Sequence, residues 1–224
     1  MARVRVIVEG QTEESFVGGP LYMSLVPYGV FLQPILLGVP GHRGGNVNYH
    51  RVKKDILNSL KQDRSAYCST LFDFYGIGDG FPSVDGAMAS TASKVASIEA
   101  AMLQEIIQEI PEYRPEVRFI PYIQIHEFEG LLFSDPKILA SSMFRADLSS
   151  DLQKIRDLFN SPEDINDGAT SAPSKRILNL NRGYNKVISG ALAAEQMGID
   201  TIKKQCPRFR VWFDKLTSLG AKQP

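Results

Sequence analysis

The sequence predicts an α/β fold in which a mostly parallel sheet is flanked by helices and followed by a helical extension. Two observations support this prediction. Strand-like and helix-like segments alternate through the first half of the 224 residues, and strand signals disappear from Lys137 onward. We therefore predict a Rossmann-like α/β domain over residues 1–136 and a helical C-terminal extension over residues 137–224 that packs on it. A chain of this length can bury a substantial core.

Each element follows from its hydrophobic pattern. Apolar, β-branched runs predict strands, and Pro34 places the second strand at an edge because proline cannot donate a ladder hydrogen bond. The predicted strands are 4–8, 29–37, 66–74 and 117–125. Apolar residues at helical spacing predict helices between and after these strands. The predicted helices are 12–17, 49–62, 91–110, 138–143, 149–159, 174–179, 185–197 and 208–219.

Composition excludes several classes of protein. Twenty-five basic residues balance 25 acidic ones, so an indiscriminate nucleic-acid or membrane binder is not expected, and any phosphate-binding surface must be local. No apolar stretch is long enough to span a membrane, and the N-terminus enters strand-like sequence without a signal peptide, so we expect a cytoplasmic protein. Cys68 and Cys206 are too few for a disulfide framework and lack metal-site spacing.

Acidic residues follow three strands of the predicted sheet. Glu9 follows the first strand, Asp73 ends the third, and the motif HEFE at 126–129 follows the fourth. The carboxyl ends of parallel strands converge on one edge, where ligands bind. Clustered carboxylates repel one another and usually hold a hard cation such as Mg²⁺, which suits phosphoryl transfer. The alternative is that each acid is a solvated or helix-capping residue.

Two neighbouring acids have a simpler explanation than Glu9 does. Glu13 and Glu14 lie in the first turn of a predicted helix, where they face the positive end of the helix dipole. Glu9 has no such local explanation, and we expect it to be placed for chemistry.

Three motifs carry a resemblance to a known superfamily. They are VEGQTE at the first strand, an Asp at the end of a later strand, and IHEFEGLLFSD after the fourth strand. They resemble the Toprim superfamily, the metal-binding domain shared by topoisomerases, primases and overcoming-lysogenization-defect nucleases, over about the first 135 residues. Nearly the whole chain resembles a bacterial family of unknown function within that superfamily, through APSKRI, the helix at 185–198 and CPRFRVWFDKL.

The resemblance implies a compact Toprim-like fold with a Mg²⁺ or Mn²⁺ site and cleavage or transfer of DNA or RNA. It implies that Glu9 is the general acid/base or a metal-adjacent carboxylate and that Asp73 is the principal metal ligand. The superfamily has an Asp-x-Asp pair at the third strand, whereas this chain reads Asp73-Phe74-Tyr75. The second acid of the pattern is therefore missing.

Other acids are candidates to complete the metal site. Asp79, Glu127 and Glu129 are each available, and Glu129 is favoured because it lies in the family-like HEFE motif. For His126 we consider three roles: bonding a neighbouring backbone group, orienting a glutamate, or donating a proton as a catalytic residue. A packed, hydrogen-bonded histidine is the favoured interpretation.

Positive groups at two places are candidates for phosphate binding. Arg43 lies in the Gly-rich loop PGHRGG, which otherwise reads as a plain strand-to-helix turn. Lys175, a candidate catalytic residue, and Arg176 lie in the first turn of a predicted helix, where cations oppose the helix dipole. That misfit favours a phosphate or the acidic cluster as their partner, with a surface salt bridge as the alternative. The basic stretch around Phe209 and Trp212 is better explained by a helix docking into the core.

These patterns leave three hypotheses for function. The first is a Mg²⁺-dependent, Toprim-like nuclease or related phosphoryl-transfer enzyme acting on DNA or RNA. The resemblance to Toprim nucleases that work with an ATPase, together with the lack of a P-loop signature, makes a separate ATPase partner a further hypothesis. The second is a Toprim-like regulatory or binding subunit that has lost catalysis, for which Tyr75 is the main argument. The third is a small-molecule phosphohydrolase. A homodimer is left open, and no membrane association is expected.

Overall fold

The structure is a computed structural model that describes residues 1–37, 47–78, 80–82, 90–166 and 171–221. Its centre is a five-stranded sheet in which every described strand pair is parallel, so the predicted α/β class is confirmed. The strand order is β2-β1-β3-β4, and β5 also pairs with β3. The strands are β1 (Ala2–Val8), β2 (Val30–Leu36), β3 (Tyr67–Asp73), β4 (Phe119–Ile120) and β5 (Ile123–Gln124).

Helices cover both faces of the sheet. Two of the helical segments are π-helical turns, Val17–Leu21 and Lys186–Gly190, each of which runs directly into an α-helix. The α-helices are α1 (Gln11–Phe16), α2 (Tyr22–Leu25), α3 (Tyr49–Gln62), α4 (Thr91–Glu109), α5 (Pro115–Arg118), α6 (Glu129–Leu132), α7 (Pro136–Ser142), α8 (Ser149–Arg156), α9 (Pro173–Leu180), α10 (Ala191–Met197), α11 (Ile199–Gln205) and α12 (Pro207–Ala221).

The prediction of one continuous strand over 117–125 is wrong. Its first residues belong to α5, and the remainder is divided between β4 and β5 at Pro121 and Tyr122. Proline has no N–H to donate to a ladder. The side chain of Thr70 replaces the missing backbone pairing, because its Oγ1 accepts a hydrogen bond from Tyr122 N and donates one to Tyr122 O, both at 2.9 Å.

Two hydrophobic cores lie on opposite faces of the sheet. Alternation along β1 sends Val4, Val6 and Val8 into one core and Ile7 into the other. The core that holds Ile7 is closed by α3 and α4. The opposite core also contains buried residues of α6 to α12, so the helices after residue 136 pack on the sheet. The division of the chain at residues 136 and 137 stays a prediction, since these helices share a core with β1.

The last helix docks through its aromatic face, as its sequence predicted. Phe209, Trp212, Phe213 and Leu216 are buried. The Trp212 indole donates a hydrogen bond to Ser69 Oγ at 2.9 Å, so the helix is tied to the central strand β3. Within the described ranges, no helix is both long enough and apolar enough to cross a membrane.

Candidate functional site

Asp73 is held at the carboxyl end of β3 by the chain that follows β5. Its Oδ1 accepts a hydrogen bond from the backbone N–H of Phe128 at 2.7 Å, and its backbone carbonyl accepts one from Gly76 N at 2.9 Å. Its Oδ2 lies 3.1 Å from the ammonium nitrogen of Lys186. Because the side chain is almost completely buried, these contacts fix the direction in which the carboxylate points.

Glu9 follows β1 and lies against the turn that leaves β3. A Cβ atom added to Gly76 would lie 2.3 Å from Glu9 Oε2, so the absence of a side chain at Gly76 makes room for this carboxylate. Glu9 Oε2 is buried and has no hydrogen-bond partner among the described residues. The structure thus brings Glu9 to the sheet edge that holds Asp73.

Two further carboxylates and one ammonium complete the group. Glu129 begins α6 and is only 1% exposed, and Glu13 is buried in the first turn of α1. Lys186 Nζ lies 3.2 Å from Glu13 Oε1 and 3.3 Å from Glu129 Oε2. We refer to Glu9, Glu13, Asp73 and Glu129 as the carboxylate cluster.

Burial and mutual repulsion shape the ionisation of this cluster. Burial, and then the charges of Asp73 and Glu13, raise the pKa of Glu9 to about 7. Burial also raises the pKa of Glu129 to about 7 and that of Asp73 to about 6, although Lys186 opposes both shifts. Burial lowers the pKa of Lys186, but Asp73, Glu129 and Glu13 together outweigh it and raise that pKa above its ordinary value. One ammonium therefore leaves the cluster with an excess of negative charge.

His126 lies just after β5 in an unusual backbone conformation. Its φ is +64°, a left-handed value that few non-glycine residues adopt, and its ring lies 5.2 Å from the ring of Tyr75. Burial lowers the pKa of the imidazole, so the neutral form is favoured near pH 7. The ring is packed as expected, but its Nδ1 is buried with no hydrogen-bond partner in the described part of the chain.

Tyr75, which stands where the second acid of the Toprim pattern is expected, faces outward. Its side chain is 43% exposed, and its hydroxyl group contacts the side-chain amide of Asn166. Its backbone N–H donates to the carbonyl of His126 at 3.1 Å. Tyr75 therefore packs against His126 and supplies no carboxylate.

Glu127 has a different partner from the other acids. Its Oε2 accepts a hydrogen bond from the backbone N–H of Ser174 at 2.8 Å, so it satisfies a free N–H group in the first turn of α9. This contact joins the HEFE motif to the C-terminal helices and gives Glu127 a structural role.

Of the basic residues predicted to bind phosphate, Lys175 and Arg176 lie on α9. Lys175 is exposed on α9, and no described contact joins it to the carboxylate cluster. Arg176 Nε donates to Ser171 O at 2.8 Å, and its guanidinium lies 5.2 Å from the centre of the Phe159 ring. Arg43 and the rest of the PGHRGG loop lie outside the described residues, and so does Asp79, one of the candidate metal ligands.

Sequence reasoning missed Glu13 and Lys186 as members of the site. The position of Glu13 in the first turn of α1 has a sufficient local explanation in the helix dipole. Lys186 begins a π-helical turn after Asn185, whose side chain accepts a hydrogen bond from Ile188 N. An Asn before a helix predicts a cap, but it does not indicate that the following lysine reaches a cluster on another element.

The cluster fits a divalent cation in donor type but not in spacing. All of its donors are carboxylate oxygens, which Mg²⁺ prefers, and Glu129 Oε1 is buried without a hydrogen-bond partner among the described residues. However, no three Asp, Glu, His or Cys side chains in those residues are arranged to hold a metal ion. The three oxygens around Lys186 lie 3.1 to 3.3 Å from its nitrogen. Mg²⁺ ligands lie about 1 Å closer to their ion.

Comparison with solved structures shows a shared fold. The C-terminal region of the Burkholderia pseudomallei OLD protein superposes with a TM-score of 0.50 at 15% sequence identity, covering 98% of this chain and 99% of that one. The C-terminal region of the Xanthomonas campestris pv. campestris OLD protein gives a TM-score of 0.41 at 13% identity, covering 99% and 97% of the two chains. At these identities the likeness to the Burkholderia protein describes the fold alone.

Sequence comparison gives a family. No curated protein matches the chain. A family model described as "Domain of unknown function (DUF4276)" matches residues 8–217, which is nearly the whole chain. The chain belongs to this family.

Proposed function

We propose that this protein is a Toprim-like, Mg²⁺- or Mn²⁺-dependent nuclease, or a related phosphoryl-transfer enzyme, that acts on DNA or RNA. The observation that carries the proposal is the carboxylate cluster at the carboxyl ends of β1 and β3. It draws carboxylates from three parts of the chain, Glu9 with Glu13, Asp73, and Glu129, and buries carboxylate oxygens that lack hydrogen-bond partners among the described residues. Burying so much negative charge opposes folding, so a catalytic use of the cluster explains its presence.

The cluster suits phosphoryl transfer for two reasons. A divalent cation at a carboxylate site supplies Lewis-acid polarisation of a phosphoryl oxygen. Glu9 has a pKa of about 7 and retains some exposure, so it can take up or release a proton at neutral pH, as a general acid or base requires.

The fold and the sequence motifs support the same proposal independently of the charges. In open parallel sheets, ligands bind at the carboxyl ends of the strands, which is where the cluster lies. The VEGQTE and HEFE motifs that resemble the Toprim superfamily supply three of its four carboxylates, Glu9, Glu13 and Glu129.

A cleavage assay tests the proposal. Supercoiled plasmid, linear duplex, single-stranded DNA and RNA would each be incubated with the protein in Mg²⁺, Mn²⁺ or EDTA. We expect cleavage of at least one substrate that EDTA abolishes and that Asp73→Asn reduces by about 100-fold or more, as the loss of an essential charged group does. Cleavage that survives both EDTA and Asp73→Asn would contradict the proposal. Circular dichroism of the variant confirms that it is folded.

We also propose a separate ATPase partner. The support is the resemblance to Toprim nucleases that work with an ATPase, together with the lack of a P-loop signature in this sequence. Affinity purification of the tagged chain from its native host, followed by mass spectrometry, tests this point. We expect a stoichiometric P-loop protein, and full cleavage activity of the isolated chain would remove the need for one.

A second candidate function is a regulatory or binding subunit that has lost catalysis. The observation in its favour is that Tyr75 replaces an acid and turns outward, while an ammonium group occupies the centre of the remaining carboxylates. Gel-shift assays with DNA and RNA separate the two functions. Tight binding without cleavage under every metal condition would favour the regulatory function.

A further inference from the structure

We propose that the ammonium group of Lys186 is a built-in cation that occupies the place of a divalent ion in the carboxylate cluster, and that a divalent ion binds there directly only when this side chain moves out. The inference rests on the proposed function in that it treats the cluster as the reactive site. It adds an exchange between a side chain and a metal ion at that site.

The position of Lys186 is the first argument. Its nitrogen lies 3.1 to 3.3 Å from one oxygen each of Glu13, Asp73 and Glu129, which belong to α1, β3 and α6. A cation that contacts carboxylates from three elements holds the centre of the cluster. These are ion-pair distances, and only the contact with Asp73 has hydrogen-bond geometry, whereas direct Mg²⁺ ligation requires the oxygens to close in by about 1 Å each. The ammonium and the ion therefore exclude each other.

The unsatisfied oxygens are the second argument. Glu129 is 1% exposed, and its Oε1 is buried next to the centre without a hydrogen-bond partner in the described residues. Glu9 Oε2 is also buried without a hydrogen-bond partner in the described residues. A single ammonium has three N–H donors and cannot serve four carboxylates. The cluster thus retains an affinity for cations that Lys186 does not satisfy.

The third argument is that Lys186 has a route out of the cluster. The side chain of Lys186 is 36% exposed to solvent, whereas the side chains of its three carboxylate partners are 9% exposed or less. The four-carbon stem is flexible, so the ammonium can rotate toward solvent without any change in the backbone. Lys186 also starts the π-helical turn Lys186–Gly190, and such turns are frequent at functional sites.

Titration with Mn²⁺ alone tests the exchange without a substrate. Calorimetry and electron paramagnetic resonance would compare the wild type, Lys186→Gln and Lys154→Gln. The last is a matched control, because it removes the same charge from a lysine that pairs with Asp151 on α8. We expect Lys186→Gln to bind Mn²⁺ at least about tenfold more tightly than the wild type, since it removes a unit charge within a few ångströms of the ion. Lys154→Gln should match the wild type.

A variant that keeps the charge balance guards against misfolding. Lys186→Gln leaves four carboxylates without their ammonium and can fail to fold. Combining it with Glu13→Gln removes one negative and one positive charge together. We expect the double variant to fold and to bind Mn²⁺ more tightly than Glu13→Gln alone, and we expect Mn²⁺ to raise its melting temperature.

The outcomes separate this inference from the proposed function. Equal or weaker Mn²⁺ binding in both Lys186→Gln backgrounds would overturn the exchange, even if the wild type cleaves nucleic acid in a metal-dependent manner. Tighter binding in the Lys186 variants would support the exchange, even if no cleavage is found. Absence of Mn²⁺ binding in every variant would overturn the exchange as well as the metal requirement of the proposed nuclease.

Discussion

Lys186 Nζ lies 3.1 Å from Asp73 Oδ2, although 113 residues separate the two in the sequence. Asp73 ends the central strand β3, and Lys186 belongs to the helical region that follows the sheet. The contact therefore makes the C-terminal helices part of the candidate site. A protein truncated after the last strand would lose the one cation seen at the centre of the described carboxylate cluster.

Glu9→Gln should raise thermal stability, and the gain should grow with pH. The native pKa of Glu9 is about 7, above the ordinary value of 4.5 that applies in the unfolded chain. Between these values the folded protein holds a proton that the unfolded chain releases, so the contribution of Glu9 to stability falls as pH rises through this window. Glutamine carries no charge at any pH and avoids this loss.

Melting temperatures at pH 5 and pH 8 measure the effect of Glu9→Gln. We expect the difference between variant and wild type to be larger at pH 8. Glu14→Gln, which removes a nearby acid on α1 outside the described cluster, is the control. A variant that is less stable than the wild type at pH 8 would show that Glu9 has a structural role.

Glu127→Ala should lower the free energy of unfolding by about 1 kcal/mol, the usual cost of losing a helix cap. The carboxylate of Glu127 accepts the N–H of Ser174 in the first turn of α9. Glu127→Gln keeps an acceptor oxygen and should lose less. Urea denaturation gives both values. The charge of Glu127 acts on Asp73 and Glu129, so we expect both changes to lower Mn²⁺ affinity slightly and equally, and a large loss of affinity would instead make Glu127 a metal ligand.

Gly76→Ala should displace the carboxylate of Glu9. The new Cβ would lie 2.3 Å from Glu9 Oε2 and 2.8 Å from Oε1, so the side chain must move. The atoms that the Cβ meets are the far end of a flexible side chain, so we expect a loss of stability smaller than the roughly 1–3 kcal/mol typical of overpacking, together with loss of cleavage activity. Gly19→Ala is the matched control, because a Cβ there meets no atom within 4 Å. Cleavage activity in Gly76→Ala equal to that in Gly19→Ala would contradict the steric role of Gly76.

His126→Asn should leave the free energy of unfolding nearly unchanged, whereas His126→Val should lower it. Asparagine tolerates the left-handed conformation at φ +64°, and a β-branched residue there costs about 1–3 kcal/mol. Urea denaturation of the two variants measures this difference. If the neutral imidazole takes part in catalysis, His126→Asn should lose cleavage while remaining folded. Equal stability of the two variants would show that the backbone relaxes at this residue.

Local patterns were enough to predict most elements of the fold. The helix Tyr49–Gln62 has the predicted bounds, because the apolar face and the cap at Asn48, whose side chain accepts from His50 N, both lie within the segment itself. The edge position of β2 followed from Pro34 alone. Pro121 was a local signal for the break between β4 and β5, whereas the pairing of Tyr122 with the side chain of Thr70 in a neighbouring strand had no local signal.

The sequence by itself determined the parallel α/β class and the carboxylates at the ends of two strands, Glu9 and Asp73, because strand periodicity and strand ends are local properties. Only the tertiary structure decided which charges meet. Glu13 had a local explanation in the helix dipole, and Lys186 had no signal at all, yet the packing of α1 and the C-terminal helices brings them within 3.2 Å. Glu127 was drawn away to α9 by the same packing. Contacts between distant elements depend on how their apolar faces pack, and no short stretch of sequence contains that information.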